Sequence, residues 1–238
     1  MRKDIFQKKM IIIRHKYISL LIICFTIMVI AGLYQKQGYT NLNEVDTPLE
    51  NYATGILTEQ SVEMQIEVMS NELKNQPIIL AVTCESDYYF RYSCATQKVT
   101  IDKIFVGNDF QEGQEISILM SNLIETKDDE EALINGKPII NMGYTNQMKK
   151  GNKYLVFLSR KLENGNQNDI FLFSDEFRIN PVFSYTDIVN IPLESEVNYA
   201  SAISYKEAKE NEFFFNNQES IDKFALFKKD IINSYQPD

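Results

Sequence analysis

Seventeen consecutive residues without a charge, YISLLIICFTIMVIAGL at 17–33, constrain this chain more than any other feature. At about 1.5 Å of rise per residue a helix of that length covers most of a bilayer's hydrocarbon thickness. Six Lys/Arg (Arg2, Lys3, Lys8, Lys9, Arg14, Lys16) against a single acid, Asp4, precede it. That asymmetry orients the N-terminus to the cytoplasm and the bulk of the chain outside. The run reads as an uncleaved transmembrane signal anchor behind a basic tail at 1–16, although Val29-Ile30-Ala31 also fits the small-residue cleavage pattern of a secretory signal peptide. Cys24, behind Ile22-Ile23, reads as a membrane-buried thiol.

Beyond the anchor the chain is acidic. The whole protein has a formal net charge of −9, and removing the basic tail leaves about −14 on the remainder. Such a surface repels phosphate backbones, so nucleic acid is excluded as a partner. The only histidine, His15, belongs to the basic tail, which removes Ser-His, Cys-His and histidine-liganded zinc chemistry from the outer domain. No pattern calls for a cofactor or a metal, and none reads as catalytic. Asp128-Asp129-Glu130-Glu131 lacks the alternating spacing of a calcium loop and suits the start of a solvated helix.

Residues 34–57 have the polar mixture, Pro48 and Gly38/Gly55 of a linker, and 58–238 form the extracytoplasmic domain. Val62, Ile66, Met69 and Leu73 share one face of a helix predicted at 61–75, with Ser61 as N-cap. An unbroken apolar run at 77–84 predicts a strand covered on both faces. Alternating residues up to Val106 predict a second strand and 114–120 a third. A short acidic helix at 126–134, an apolar segment at 138–142, and strands at 153–158 and 170–173 come next. The extension at 175–238 brings a further strand at 177–183, the aromatic run Phe213-Phe214-Phe215 and a strongly amphipathic helix at 220–235 capped by Ser220. The expected class is therefore mainly β with flanking helices: an OB-like five-stranded barrel at 77–174, behind a transmembrane helix and ahead of a C-terminal helix.

Three stretches carry a resemblance: the V-x-x-V-x-K-G-like strand end at 99–107, the G-x-x-I-x-I-like strand at 113–118 and G-x-x-Y-L-V-F-L at 151–158. In this succession, over roughly 77–174, the chain resembles the netrin-module and TIMP-like OB domains of extracellular proteins, many of them bacterial. The animal inhibitors of that group chelate a protease's zinc through an N-terminal Cys-x-Cys. This sequence has no such motif and places a helix ahead of the barrel, so the resemblance implies the fold without protease inhibition.

Cys84 and Cys94 are the two cysteines outside the anchor. In an oxidising compartment, with a hairpin turning about Tyr89, they would face each other as a cross-strand disulfide. The nine residues between them include Tyr88, Tyr89, Phe90, Arg91 and Tyr92. Aromatic rings beside an arginine are the composition of a contact surface. The same alternation also suits a strand face that continues into the core. The leading expectation is a single-pass membrane protein that binds a protein or cell-envelope ligand through this loop. A carboxylate-dependent envelope hydrolase would instead need two acids converging in a deep cleft, and a structural subunit of a membrane complex would use the anchor and the C-terminal helix as contacts.

Overall fold

The structure, a computed structural model, describes residues 2–37, 41–91, 94–123, 137–163, 169–194 and 202–237. It divides into two units, Met1–Glu44 and Val45–Asp238. The first holds helix α1 (Arg2–Gln37), in which the 18 residues Tyr17–Tyr34 are long and apolar enough to cross a membrane. Within that span the Thr26 hydroxyl donates to the Ile22 carbonyl at 2.8 Å, so it needs no water.

The second unit is mixed α/β rather than mainly β. In chain order it contains β1 (Ala53–Gly55), α2 (Glu59–Glu72), β2 (Ile78–Cys84), β3 (Tyr89–Arg91), β4 (Cys94–Val106), β5 (Glu115–Leu123) and β6 (Ile139–Asn141). Then come β7 (Lys153–Leu158), β8 (Arg160–Lys161), β9 (Ile170–Leu172), β10 (Val182–Ser184), β11 (Ala202–Ser204), α3 (Tyr205–Ala208) and α4 (Gln218–Ser234). The strands hydrogen-bond in the order β10-β7-β2-β4-β5-β6-β1-β11, with β3 added to β4 and β9 bonded to both β5 and β8.

Burial explains the two kinds of strand pattern. β2 lies between β4 and β7, and all of its residues except Thr83 are buried, which is why it reads as a continuous apolar run. β4 alternates, turning Ala95, Gln97, Val99 and Ile101 inward.

The helices arise from their periodicity. Val62, Met69 and Leu73 are buried against Phe177, Phe183, Phe213, Phe215, Phe224 and Phe227, with Ile66 at the margin. The Phe224 ring lies 4.7 Å from Phe213 and 5.1 Å from Phe215, edge-on to both. Both helices start two residues earlier than their apolar spacing predicts. α2 begins behind Thr58, and α4 behind Asn217, whose side chain accepts from the Ser220 N–H at 2.8 Å.

The stretch expected to be a linker contributes to the sheet: β1 runs parallel to β6 and antiparallel to β11, and Leu49, Tyr52, Ile56 and Leu57 are buried beside it. The acidic helix expected at 126–134 lies outside the described residues.

Candidate functional site

The disulfide expected between Cys84 and Cys94 does not form; both are free thiols. The hairpin does not turn about Tyr89. β3 pairs Tyr89 with Thr96, Phe90 with Ala95 and Arg91 with Cys94, whereas Cys84 faces Val99 across β2 and β4. Cys94 lies five steps along the strand from Val99, roughly 16 Å, far beyond the reach of a bridge.

A side-chain amide ties this region together instead. Gln97, fully buried on β4, donates through Nε2 to the carbonyls of Ser86 at 2.9 Å and Met148 at 2.8 Å, and its Oε1 accepts from the Met148 N–H at 2.8 Å. The Cys84 thiol sits in the same knot, 3.2 Å from the Ser86 carbonyl. Burial pushes its pKa up to about 11, so it is a weak nucleophile.

The loop residues divide by alternation. Tyr88 and Phe90 turn inward, 8 % and 6 % exposed, with their rings edge to face at 6.0 Å. Burial raises the Tyr88 phenol well above its ordinary range, an effect that Tyr205 adds to and the Ser121 hydroxyl opposes. Tyr89 is 52 % exposed and Arg91 is exposed, the guanidinium lying 5.8 Å from the Tyr89 ring centre. Tyr92 lies outside the described residues. Of the five candidates, Tyr89 and Arg91 remain on the surface as a cation–π pair.

A second feature lies on the far edge of β5. There Ser117 and Ile118 pair with β9, while Asn122 and Leu123 pair with β6. The two partners diverge, and Leu119, Met120 and Ser121 face a cleft of about 700 Å³ at the fork. Its other walls include Gly55, Ile139, Asn141, Tyr144, Phe173, Asp175, Arg178 and Asn180.

Hydrogen bonds hold the fork open. Asn180 Nδ2 donates to the Met120 and Met142 carbonyls, both at 3.0 Å. The Asn180 N–H donates to the Gly143 carbonyl at 2.8 Å, and Thr145 Oγ1 donates to the carbonyls of Gly143 at 3.1 Å and Asn180 at 3.0 Å. Asn141 Oδ1 accepts from the Gly143 N–H at 3.0 Å. Under these restraints Gly143 and Tyr144 both take left-handed backbone, at φ 56° and 50°. For a bulky residue that conformation costs roughly 1–3 kcal/mol and persists only where the surroundings impose it. Its result is a Tyr144 ring laid against Gly55, with Cε1 3.0 Å from where a Cβ on that glycine would be.

Among the described residues, the Tyr144 hydroxyl, the Asp175 carboxylate and the Arg178 guanidinium make no hydrogen bond or ion pair within the protein. A phenol, an anion and a cation thus border a largely apolar cleft without internal partners, the composition of a small-ligand site. Asp175 is the one carboxylate among the described lining residues. Among the described residues, no group of three or more His, Cys, Asp or Glu is placed to hold a metal ion.

Sequence reasoning does not find Tyr144, Asp175 or Arg178. Asn141-x-Gly143 is a local turn signal, but the cleft depends on where β6 and β9 leave β5, which no local pattern encodes. No family model matches the chain, and a search of curated proteins finds no match to it.

Proposed function

We propose that this chain is a single-pass, membrane-anchored extracytoplasmic binding protein whose outer domain contains an OB-type module and takes its ligand in the cleft at the β5 fork. The six basic residues before the apolar span support the outward orientation. The strand pairings support the module. β2 bonds to β4 and β7, β4 to β5, β5 to β9, and β9 to β8. β8 follows β7 after the single residue Ser159, and the succession β2-β4-β5-β9-β8 supports the strand order of an OB-type module.

The observation that carries binding is the cleft with its three side chains that have no partner among the described residues. A hydrolase working with two carboxylates is less well served, since Asp175 has no second acid beside it among the described lining residues. Hydrogen–deuterium exchange on the full chain in nanodiscs, with and without a fractionated cell-envelope extract, tests the reading. Slowed exchange at 119–121 and 141–145 is expected. Slowing confined to 89–91 would move the ligand to the hairpin, and unchanged exchange throughout would remove the binding function.

A further inference from the structure

We infer that the outer domain pairs with a second copy of this chain through the solvent face of α4, the two helices running antiparallel about a twofold axis between Ala225 and Leu226. Three observations carry this interface, and none of them involves the cleft.

The first is exposed apolar surface gathered in one place. Among the described residues beyond the membrane span, the exposed large apolar side chains are Met64, Tyr89, Val106, Val189, Ile191 and Leu226. Leu226, 67 % exposed, borders a groove of about 660 Å³ between α4 and the segment that carries Ile188 and Asn190. Val189 and Ile191 alternate with those two along the chain. Half of the exposed apolar residues thus belong to the walls of one groove or sit beside them, as at an interaction face.

The second is the pattern on the helix. Its core side holds Ile221, Phe224 and Phe227. The opposite side presents Gln218, Asp222, Ala225, Leu226, Lys229 and Asn233, all exposed. Positions 218, 222, 225 and 229 follow the four-and-three spacing of a seam between two helices. Ala225, near its middle, is small enough to let a second backbone come close.

The third is charge. Asp222 and Lys229 lie equally far on either side of the point between Ala225 and Leu226. Asp222 accepts from its own neighbour Gln218 at 2.8 Å, and Lys229 has no hydrogen bond or ion pair among the described residues. In an antiparallel pair each Asp222 meets the partner's Lys229, and each Gln218 meets the partner's Asn233. That is the self-complementarity a twofold interface requires. A parallel pair would set acid against acid and base against base. The charges therefore fix direction, while the apolar residues supply most of the affinity. Repulsion between two acidic domains is screened beyond about 8 Å at physiological salt, and anchoring in one membrane raises the effective concentration of the two copies.

Oxidative cross-linking of the full chain in liposomes tests the pairing, in a Cys24→Ser, Cys94→Ser background carrying Ala225→Cys or, as a control off the seam, Asp230→Cys. Covalent dimer is expected with Ala225→Cys, at least fivefold above the control. Adding Asp222→Lys or Lys229→Asp should cut that yield at least fivefold, and adding both should restore it. Rescue by the second reversal separates a lost contact from a lost fold. Equal yields at the two cysteine positions, single reversals without effect, or a double reversal no better than the single ones would overturn the pairing and give the face to a different protein or to the bilayer.

Discussion

The side chain of Asn180 fills the space that a Cβ on Gly143 would occupy: such an atom would lie 2.3 Å from Asn180 Oδ1. The same Asn180 bridges the carbonyls of Met120 and Met142, so glycine at 143 is a condition for the fork. Gly143→Ala should destabilise the domain by about 3 kcal/mol, from the left-handed backbone and from two displaced hydrogen bonds. Asn180→Gly clears the space, and adding Gly143→Ala to it should cost only about 1 kcal/mol more. Thermal unfolding of the four chains in a double-mutant cycle gives the coupling. Strict additivity would show that the collision is not what fixes the fork.

The thiols should behave oppositely. Without reductant, a maleimide reagent should label Cys94 in the folded protein and reach Cys84 only on unfolding, because Cys84 is fully buried. Protection of both until reduction would restore the disulfide.

Cys84 also predicts an alkaline instability. Its folded pKa is raised from 9.0 to about 11 by burial, so its contribution is fully present below about pH 9 and is lost as pH rises through 11. A shift of that size corresponds to at most about 2–3 kcal/mol. The phenols of Tyr88, Tyr185 and Tyr205 are also raised by burial and act in the same direction at higher pH. Denaturant midpoints between pH 8 and 11 should fall less steeply in Cys84→Ala than in the parent. Parallel curves would contradict the assignment.

Glu212 ties β10 to α4. Its Oε1 accepts from the Ser184 N–H of β10 at 2.7 Å, and its Oε2 meets Lys228 Nζ of α4 at 2.5 Å. Burial raises the carboxyl's pKa from its ordinary value, with the Lys228 ammonium opposing. Lys228→Met should therefore cost about 3–5 kcal/mol at neutral pH, the penalty of an unpaired buried charge. Because the folded pKa is raised, the stability linked to Glu212 is complete below about pH 4.5 and lost as pH rises through the folded value. The variant should thus recover part of its loss on acidification. Adding Glu212→Gln should remove that recovery, and a variant equally unstable at all pH values would show that lost packing dominates.

How much of the fold and the cleft was legible depended on whether the signal was local. β2, β4 and β7 were readable because continuous or alternating apolar residues report how many faces a strand buries. α2 and α4 were readable from their 3.6-residue spacing. β1 was not: Ala53–Gly55 has no run of its own and becomes a strand only between β6 and β11. The cysteine pairing failed for a related reason. Register is set by pairing over the whole of β2 and β4, so Cys84 meets Val99 and not the next cysteine. Gln97 looked like one more polar residue in an alternating strand, and only the return of 146–149 beneath it makes it the clamp. The cleft draws on segments near 55, 120, 142 and 175, which no window of sequence brings together.

Tyr144 separates folding from binding. Its ring packs against Gly55 and the edge of the core, while its hydroxyl has no partner among the described residues. Tyr144→Phe keeps the ring and removes only the hydroxyl, so stability should change by less than about 0.5 kcal/mol. Ligand contact at the cleft should nevertheless weaken, because a site built to hydrogen-bond loses more by a missing partner than by a missing methyl group. Thermal unfolding and exchange protection by envelope extract, measured on the same preparation, check the two halves. A loss of stability above about 1.5 kcal/mol, in the range of a broken buried hydrogen bond, would make the hydroxyl part of the fold. Unchanged stability with unchanged protection would place the phenol outside the ligand's reach.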